Sequence, residues 1–210
     1  LGILDESKRE LERFLTLAAE DNIQVCNATT ARQYFHLLRR QVLSERHTPL
    51  VLFTPKSGLR MKLNRSHIDE FTSGSFEEVL DDPAVTDPAA IKRLVFCSGK
   101  VAWDAMAERD RRQAPVGVVR VEQLYPLPTV QMLALIQTRY PNVKELVWLQ
   151  EEPENMGAWT FVEHHVWRVK ELGYDLRVVA RVPSGSPATG SKAVHDQELA
   201  DLMDATFAGL

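Results

Sequence analysis

Residues 93–210 alternate short apolar runs with amphipathic stretches, and that alternation restricts the possible folds of this chain more than any other feature. Leu94–Cys97, Val116–Val121, Glu145–Gln150 and Leu176–Val182 have the length and apolar content of buried strands. Val101, Ala102, Ala105 and Met106 predict a helix after the first of them. Met132, Leu133 and Ile136, following Thr129, predict a second, and Trp159, Val162 and Val166 a third. Leu199, Leu202 and Met203 mark a final one. Strands separated by helices of this length form a parallel sheet covered on both faces.

The first 54 residues repeat the theme in shorter form. Leu11, Phe14, Leu15 and Ala18 recur at helical spacing, with Asp5 as a possible cap, and Ile23–Cys26 reads as a strand. Thr30-Ala31-Arg32-Gln33 fits a capping box, in which hydroxyl and amide each satisfy a free backbone donor. The helix it opens is expected to bury Tyr34, Leu38 and Val42, and a strand over Leu50–Phe53 stops at Pro55. Residues 55–92 contain Gly58, Gly74, Pro83 and Pro88 and no sustained period, which reads as a linker packed over a domain boundary with a short helix around Phe76–Leu80. The expected class is therefore α/β, with two open, mostly parallel sheets flanked by helices and units at 1–54 and 93–210. An open half-sheet edge attracts a further strand, so the isolated chain is expected to self-associate or to be poorly soluble.

Composition narrows the partners. The formal charge is −4 with lysine and arginine dispersed, which argues against non-specific nucleic-acid binding. No apolar run approaches the ~18 residues of a membrane span. Leu1-Gly2-Ile3-Leu4-Asp5-Glu6 lacks the features of a secretory signal and an initiator methionine, as in a processed chain or a piece of a longer one. Cys26 and Cys97 lie outside any CxxC, which fits a reducing, cytoplasmic setting.

Several groups could carry chemistry, each beside a plainer account. Ser98-Gly99-Lys100 joins a strand to a helix, where backbone amides attract phosphate, yet it lacks the further glycines of a phosphate loop and serves equally as a tight turn. Glu151 and Glu152 follow a strand where open sheets carry functional loops; they could do acid–base work, or favour the start of the next helix. His164 and His165 are ~100° apart around a helix, a poor spacing for a shared metal. His36 reads as a partly exposed structural histidine, and the four tryptophans, Trp103, Trp148, Trp159 and Trp167, as core or interface residues. Arg39 and Arg40, with Lys56, Arg60 and Lys62 downstream, are surface charges or a converging cradle for an anion at the domain boundary.

Word-level patterns add a resemblance. Tyr34-Phe35-His36-Leu37-Leu38-Arg39-Arg40-Gln41, Phe53-Thr54-Pro55-Lys56-Ser57, Cys97-Ser98-Gly99-Lys100-Val101 and Glu122-Gln123-Leu124-Tyr125-Pro126-Leu127-Pro128 appear in order. Gln150-Glu151-Glu152-Pro153-Glu154-Asn155-Met156-Gly157-Ala158-Trp159 and Ser186-Pro187-Ala188-Thr189-Gly190 complete the set. Together they resemble the carboxyl-terminal part of the thiamine-dependent decarboxylating component of 2-oxoglutarate dehydrogenase, from about Leu11 to Phe207. The resemblance implies that residues 1–54 end a pyrimidine-binding domain and that 93–210 form a transketolase-type carboxyl-terminal domain. It implies a homodimer that uses thiamine diphosphate and magnesium and passes a succinyl group to the lipoyl arm of a succinyltransferase. The cofactor-binding motifs of the family lie upstream, so this chain is expected to contribute subunit interface and active-site approach and to be inactive alone. The family's catalytic histidine is aligned with Glu6, and a carboxylate cannot replace a neutral imidazole donor.

Some members of the family bind acetyl-CoA or AMP between these two domains, and Arg40 and Gln123 match positions of that effector site. Ser75 stands where a lysine is expected, and Val130 and Gln131 where two arginines are. With three charges fewer, the expectation is weak binding of a smaller nucleotide rather than tight binding of acetyl-CoA. Two rival readings remain: a stand-alone nucleotide-sensing module, and a related enzyme acting on pyruvate or a branched-chain 2-oxo acid.

Overall fold

A computed structural model describes residues 11–45, 47–54, 58, 61–187 and 189–210. Asp5, Glu6, Pro55, Lys56 and Arg60 from the sequence reading, and Ala188 of the last word, lie outside the described residues.

The chain opens with α1 (Leu11–Leu17), which buries Leu11 and Leu15, and continues into β1 (Gln24–Asn27). Next come α2 (Ala31–Leu43) and β2 (Leu50–Phe53), which pairs parallel to β1. Thr30 caps α2 as its sequence predicts, its hydroxyl accepting from the Gln33 amide nitrogen at 3.3 Å. The buried stripe is not the expected one: α2 buries Gln33, His36 and Leu37, whereas Val42 is 78% exposed. His36 is correspondingly only 2% exposed, not partly exposed, with Nε2 2.8 Å from the Glu70 carbonyl oxygen.

The described residues after β2 include short regular elements. Among them are α3 (Asp69–Thr72) and β3 (Val79–Leu80), a strand where a helix around Phe76–Leu80 was expected. The period failed there because a two-residue strand is too short to show one. Phe76, Leu80, Val85 and Ile91 are all buried.

The second unit follows the predicted alternation: β4 (Arg93–Cys97), α4 (Val101–Arg112), β5 (Val116–Val121), β6 (Gln123–Tyr125), α5 (Thr129–Arg139), β7 (Glu145–Pro153), α6 (Trp159–Val166), α7 (Arg168–Glu171), β8 (Asp175–Arg181) and α8 (Lys192–Phe207). Five strands form one sheet in the order β3-β5-β4-β7-β8, with every pair parallel except the β3 edge. α4 and α8 cover one face of this sheet through Val101, Ala105, Met106, Leu202, Met203 and Phe207. α5 and α6 lie over the other, where Met132, Ile136, Trp159 and Val162 pack with Trp148 in the larger core. Full burial of each Val, Leu, Ile, Met or Phe side chain among them contributes about 1.5–3 kcal/mol. Trp148 and Trp159 are core residues, but Trp167 is 48% exposed and is not.

The remaining sheet is mixed, β2-β1-β6, with β6 antiparallel to β1. β6 is the strand that the sequence does not announce. It follows β5 after a single residue, Glu122, yet belongs to the other sheet. One extended segment, residues 116–125, therefore stitches the two sheets together. The core reflects this: Leu11, Leu15, Val25 and Phe53 from the first unit share one apolar cluster with Val121, Leu124, Trp159 and Val162 from the second. Among the described residues no helix is long and apolar enough to cross a membrane.

Candidate functional site: the seam between the sheets

The carboxyl end of β1, the amino end of α2, residues 76–78 and Glu122-Gln123 meet in one seam. The Asn27 amide nitrogen donates to the Glu122 carbonyl oxygen at 2.7 Å, and those of Glu122 and Gln123 donate to the Glu78 carbonyl at 2.9 and 3.2 Å. Backbone bonding thus fixes where the chain leaves one sheet for the other.

The side chain of Glu122 is aimed into the seam and is 0% exposed. It accepts from the Thr29 amide nitrogen at 2.8 Å and from the Thr29 hydroxyl, which in turn accepts from Arg120 Nη1 at 3.0 Å. Burial pushes the Glu122 carboxyl above its usual range, against the opposing pull of Arg120 and of the Thr29 donors. Arg120 stacks over Trp103 at 4.8 Å, and burial lowers its own affinity for a proton. Gln33 also departs from the capping-box role. Its side-chain amide pairs with the Glu77 backbone, Nε2 donating to the carbonyl at 2.6 Å and Oε1 accepting from the amide at 3.1 Å. The amide of Gln33 is spent on joining α2 to residue 77 and not on the helix end.

Beside this network lies a polar cavity of about 230 Å³, whose lining includes Asp21, Gln24, Arg40, Glu78, Gln123 and Pro126. Arg40 and Gln123, distant in sequence, are brought together here: Arg40 Nη2 donates to Gln123 Oε1 at 2.7 Å and to Gln24 Oε1 at 2.8 Å. Arg40 Nη1 donates to Glu78 Oε1 at 3.3 Å, and its guanidinium lies 4.4 Å over the Phe76 ring. Gln131 Nε2 reaches Glu78 Oε2 at 2.9 Å. Gln24 and Glu78 escaped the sequence reading. Glu78 sits in the stretch without a period, and Gln24 has no signal beyond alternating with the buried Val25.

Other candidates are placed elsewhere. Arg39 is exposed and outside the cavity lining, as is Lys62, so the wider basic cradle is not assembled from the described residues. Val130 and Ser75 are exposed. At the Ser98-Gly99-Lys100 turn, Lys100 is held by Asp104 at 2.6 Å and Glu151 at 3.2 Å, which neutralises it for phosphate. Gly99 has φ +76°, a left-handed conformation that favours glycine, and an added Cβ would also lie 2.5 Å from Asn27 Nδ2 and force that side chain to shift. This is the tight-turn alternative. His164 and His165 are exposed on α6 with ring centroids 5.5 Å apart. Between α5, α6 and α7 lies an apolar cavity of about 220 Å³ lined by residues such as Phe96, Trp148, Val162 and Leu176.

The donor set does not fit thiamine diphosphate with magnesium. Among the described residues, Lys100 of the Ser98-Gly99-Lys100 turn is paired with two carboxylates, and no group of three or more His, Cys, Asp or Glu that could hold a metal occurs. Burial pushes both thiols, Cys26 and Cys97, up to about 12. We therefore expect neither to react with iodoacetamide at pH 8 in the native protein and both to react in denaturant. Native labelling of either, read by mass spectrometry, would contradict the packing around it.

Comparison with known proteins places these features. Residues 65–207 match the family model described as 2-oxoglutarate dehydrogenase C-terminal, and residues 6–62 match the transketolase pyrimidine binding domain. The chain is 42% identical over 207 residues to the 2-oxoglutarate dehydrogenase E1 component of Cupriavidus necator, covering 98% of this chain and 22% of that relative. It is 43% identical over 209 residues to the protein of the same name from Azotobacter vinelandii, covering 97% and 22%. Against the Coxiella burnetii protein it is 40% identical over 194 residues, covering 91% and 21%. The chain thus spans about a fifth of the length of these curated relatives.

Proposed function

Because the chain belongs to the 2-oxoglutarate dehydrogenase C-terminal family, we propose that it is the carboxyl-terminal part of an enzyme component that decarboxylates 2-oxoglutarate on thiamine diphosphate and delivers a succinyl group to a lipoyl arm. In this reading residues 1–54 end the pyrimidine-binding domain, 55–92 connect, and 93–210 form the transketolase-type domain. The whole component works as a cytoplasmic homodimer with its succinyltransferase partner in the tricarboxylic acid cycle. Cofactor and magnesium are held by polypeptide outside this chain. Held there, thiamine diphosphate would supply the decarboxylation chemistry, and the residues described here would keep the walls of that site in place.

The observation that carries the reading is the strand that changes sheets at Glu122. A segment shared by two sheets and locked by a buried carboxylate prevents the two units from moving independently, which is what a buttress requires. Arg40 and Gln123 are the proposed contacts for a nucleotide effector, AMP or acetyl-CoA, in the cavity alongside.

Activity of the intact protein tests this directly. With thiamine diphosphate, magnesium and a lipoyl domain, it is expected to consume 2-oxoglutarate in preference to pyruvate or branched-chain 2-oxo acids, and residues 1–210 alone are expected to be inactive. Preference for pyruvate would shift the assignment to a related enzyme, and turnover by residues 1–210 alone would refute the buttress role.

A further inference from the structure

The seam cavity carries a carboxylate where an anionic ligand would place its phosphate. We infer that Glu78 sets the charge this cavity accepts: it occupies the anion position among Arg40, Gln123 and Gln131, and a phosphate-bearing ligand binds only by displacing it. The inference rests on the effector reading of the cavity and adds to it a residue that decides specificity.

Three donors from three elements converge on the two Glu78 oxygens. Arg40 from α2 and Gln123 from β6 each lie 3.3 Å from Oε1, and Gln131 from α5 lies 2.9 Å from Oε2. A cationic fork flanked by amide donors is what a bound phosphate would require. Arg40 also donates through Nη2 to Gln24 and Gln123, so both of its terminal nitrogens are already engaged. An anion entering beside an undisplaced Glu78 meets its carboxylate at close range, and like-charge juxtaposition strongly disfavours such binding.

Glu78 also behaves as a tethered competitor. Its carbonyl accepts from Glu122 and Gln123, so the backbone cannot withdraw from the seam. Its side chain is 29% exposed and can turn into solvent without leaving a charge buried. A group tethered this way acts at a high effective concentration, against which a free ligand must compete. A cavity arranged like this favours ligands that offer hydrogen-bond donors to Glu78, or anions strong enough to evict it.

Calorimetric titration of the intact protein with AMP and with inorganic pyrophosphate tests the inference. Glu78→Gln keeps the size and the hydrogen bond to Gln131 but removes the competing charge, and it is expected to tighten binding of both by about ten-fold or more. Glu78→Ala is expected to tighten binding in the same direction, so the result does not depend on one variant folding well. Adding Arg40→Ala to Glu78→Gln should abolish the gain. Equal affinity of the parent and both single variants for AMP would overturn the role of Glu78 while leaving the effector site standing. No binding of AMP or pyrophosphate by the parent or any variant would remove the effector site itself, and with it this inference.

Discussion

Glu122→Leu is expected to destabilise the protein by about 3–5 kcal/mol, the typical result of breaking a buried charged network by removing one partner. For a chain of this size that corresponds to a melting point lower by about 6–20 °C. The reason is local. Leucine removes the acceptor for the Thr29 amide and hydroxyl, and leaves Arg120 stacked on Trp103 without the Glu122 charge that favours its protonated form. Orphaned buried donors carry the full cost of their desolvation. Glu122→Gln keeps an acceptor for Thr29 and is expected to cost less than half as much. The loss should be concentrated at the seam, so amide exchange of Cys26–Thr29 and Gln123–Tyr125 should speed up before that of β4 and β7. Thermal melts with exchange mass spectrometry measure both, and a Glu122→Leu protein that melts with the parent would show that Glu122 does not hold the sheets together.

Arg109→Met is expected to have an effect of similar size, about 3–5 kcal/mol, at a second buried pair. Arg109 Nη1 donates to Asp82, whose side chain is fully buried. Asp82 also accepts from the Val118 amide at 2.9 Å and the Ala84 amide at 3.0 Å. This pair ties the turn after β3 to α4 and to β5, so it holds the edge strand in register. Methionine fills the arginine's volume yet leaves a buried carboxylate facing two neutral donors only. Asp82→Ala is expected to match it, and the double variant should cost clearly less than the sum of the two, because both remove one interaction. Chemical denaturation curves give all three values, and strict additivity would mean that the pair contributes nothing as a pair.

These two sites differ in how much their sequence disclosed. The second unit was legible because β4, β5 and β7 are apolar and buried on both faces, and its helices carry sustained stripes such as Val101, Ala102, Ala105 and Met106. Periodicity reports which face of an element meets the core, so it works wherever an element spans several turns or pleats. α2 defeated it. Its inward face is Gln33, His36 and Leu37, two of them polar, because that face meets the Glu70 and Glu77 backbone as well as the apolar Cys26 and Phe76. The short strands β3 and β6 left no period at all.

Arg40 was legible as half of a basic pair and Gln123 only through resemblance, and their meeting at 2.7 Å depends on the strand that crosses between sheets. The sequence by itself determined the α/β class, the order of the long elements, the Thr30 cap and the family, since each is written in neighbouring residues. Only the tertiary structure decided that residues 123–125 join the first sheet, that Glu122 is sealed between Thr29 and Arg120, and that Glu78 faces Arg40. Those outcomes follow from pairings between residues about 40 to 100 positions apart, made through backbone hydrogen bonds and burial that no local pattern encodes.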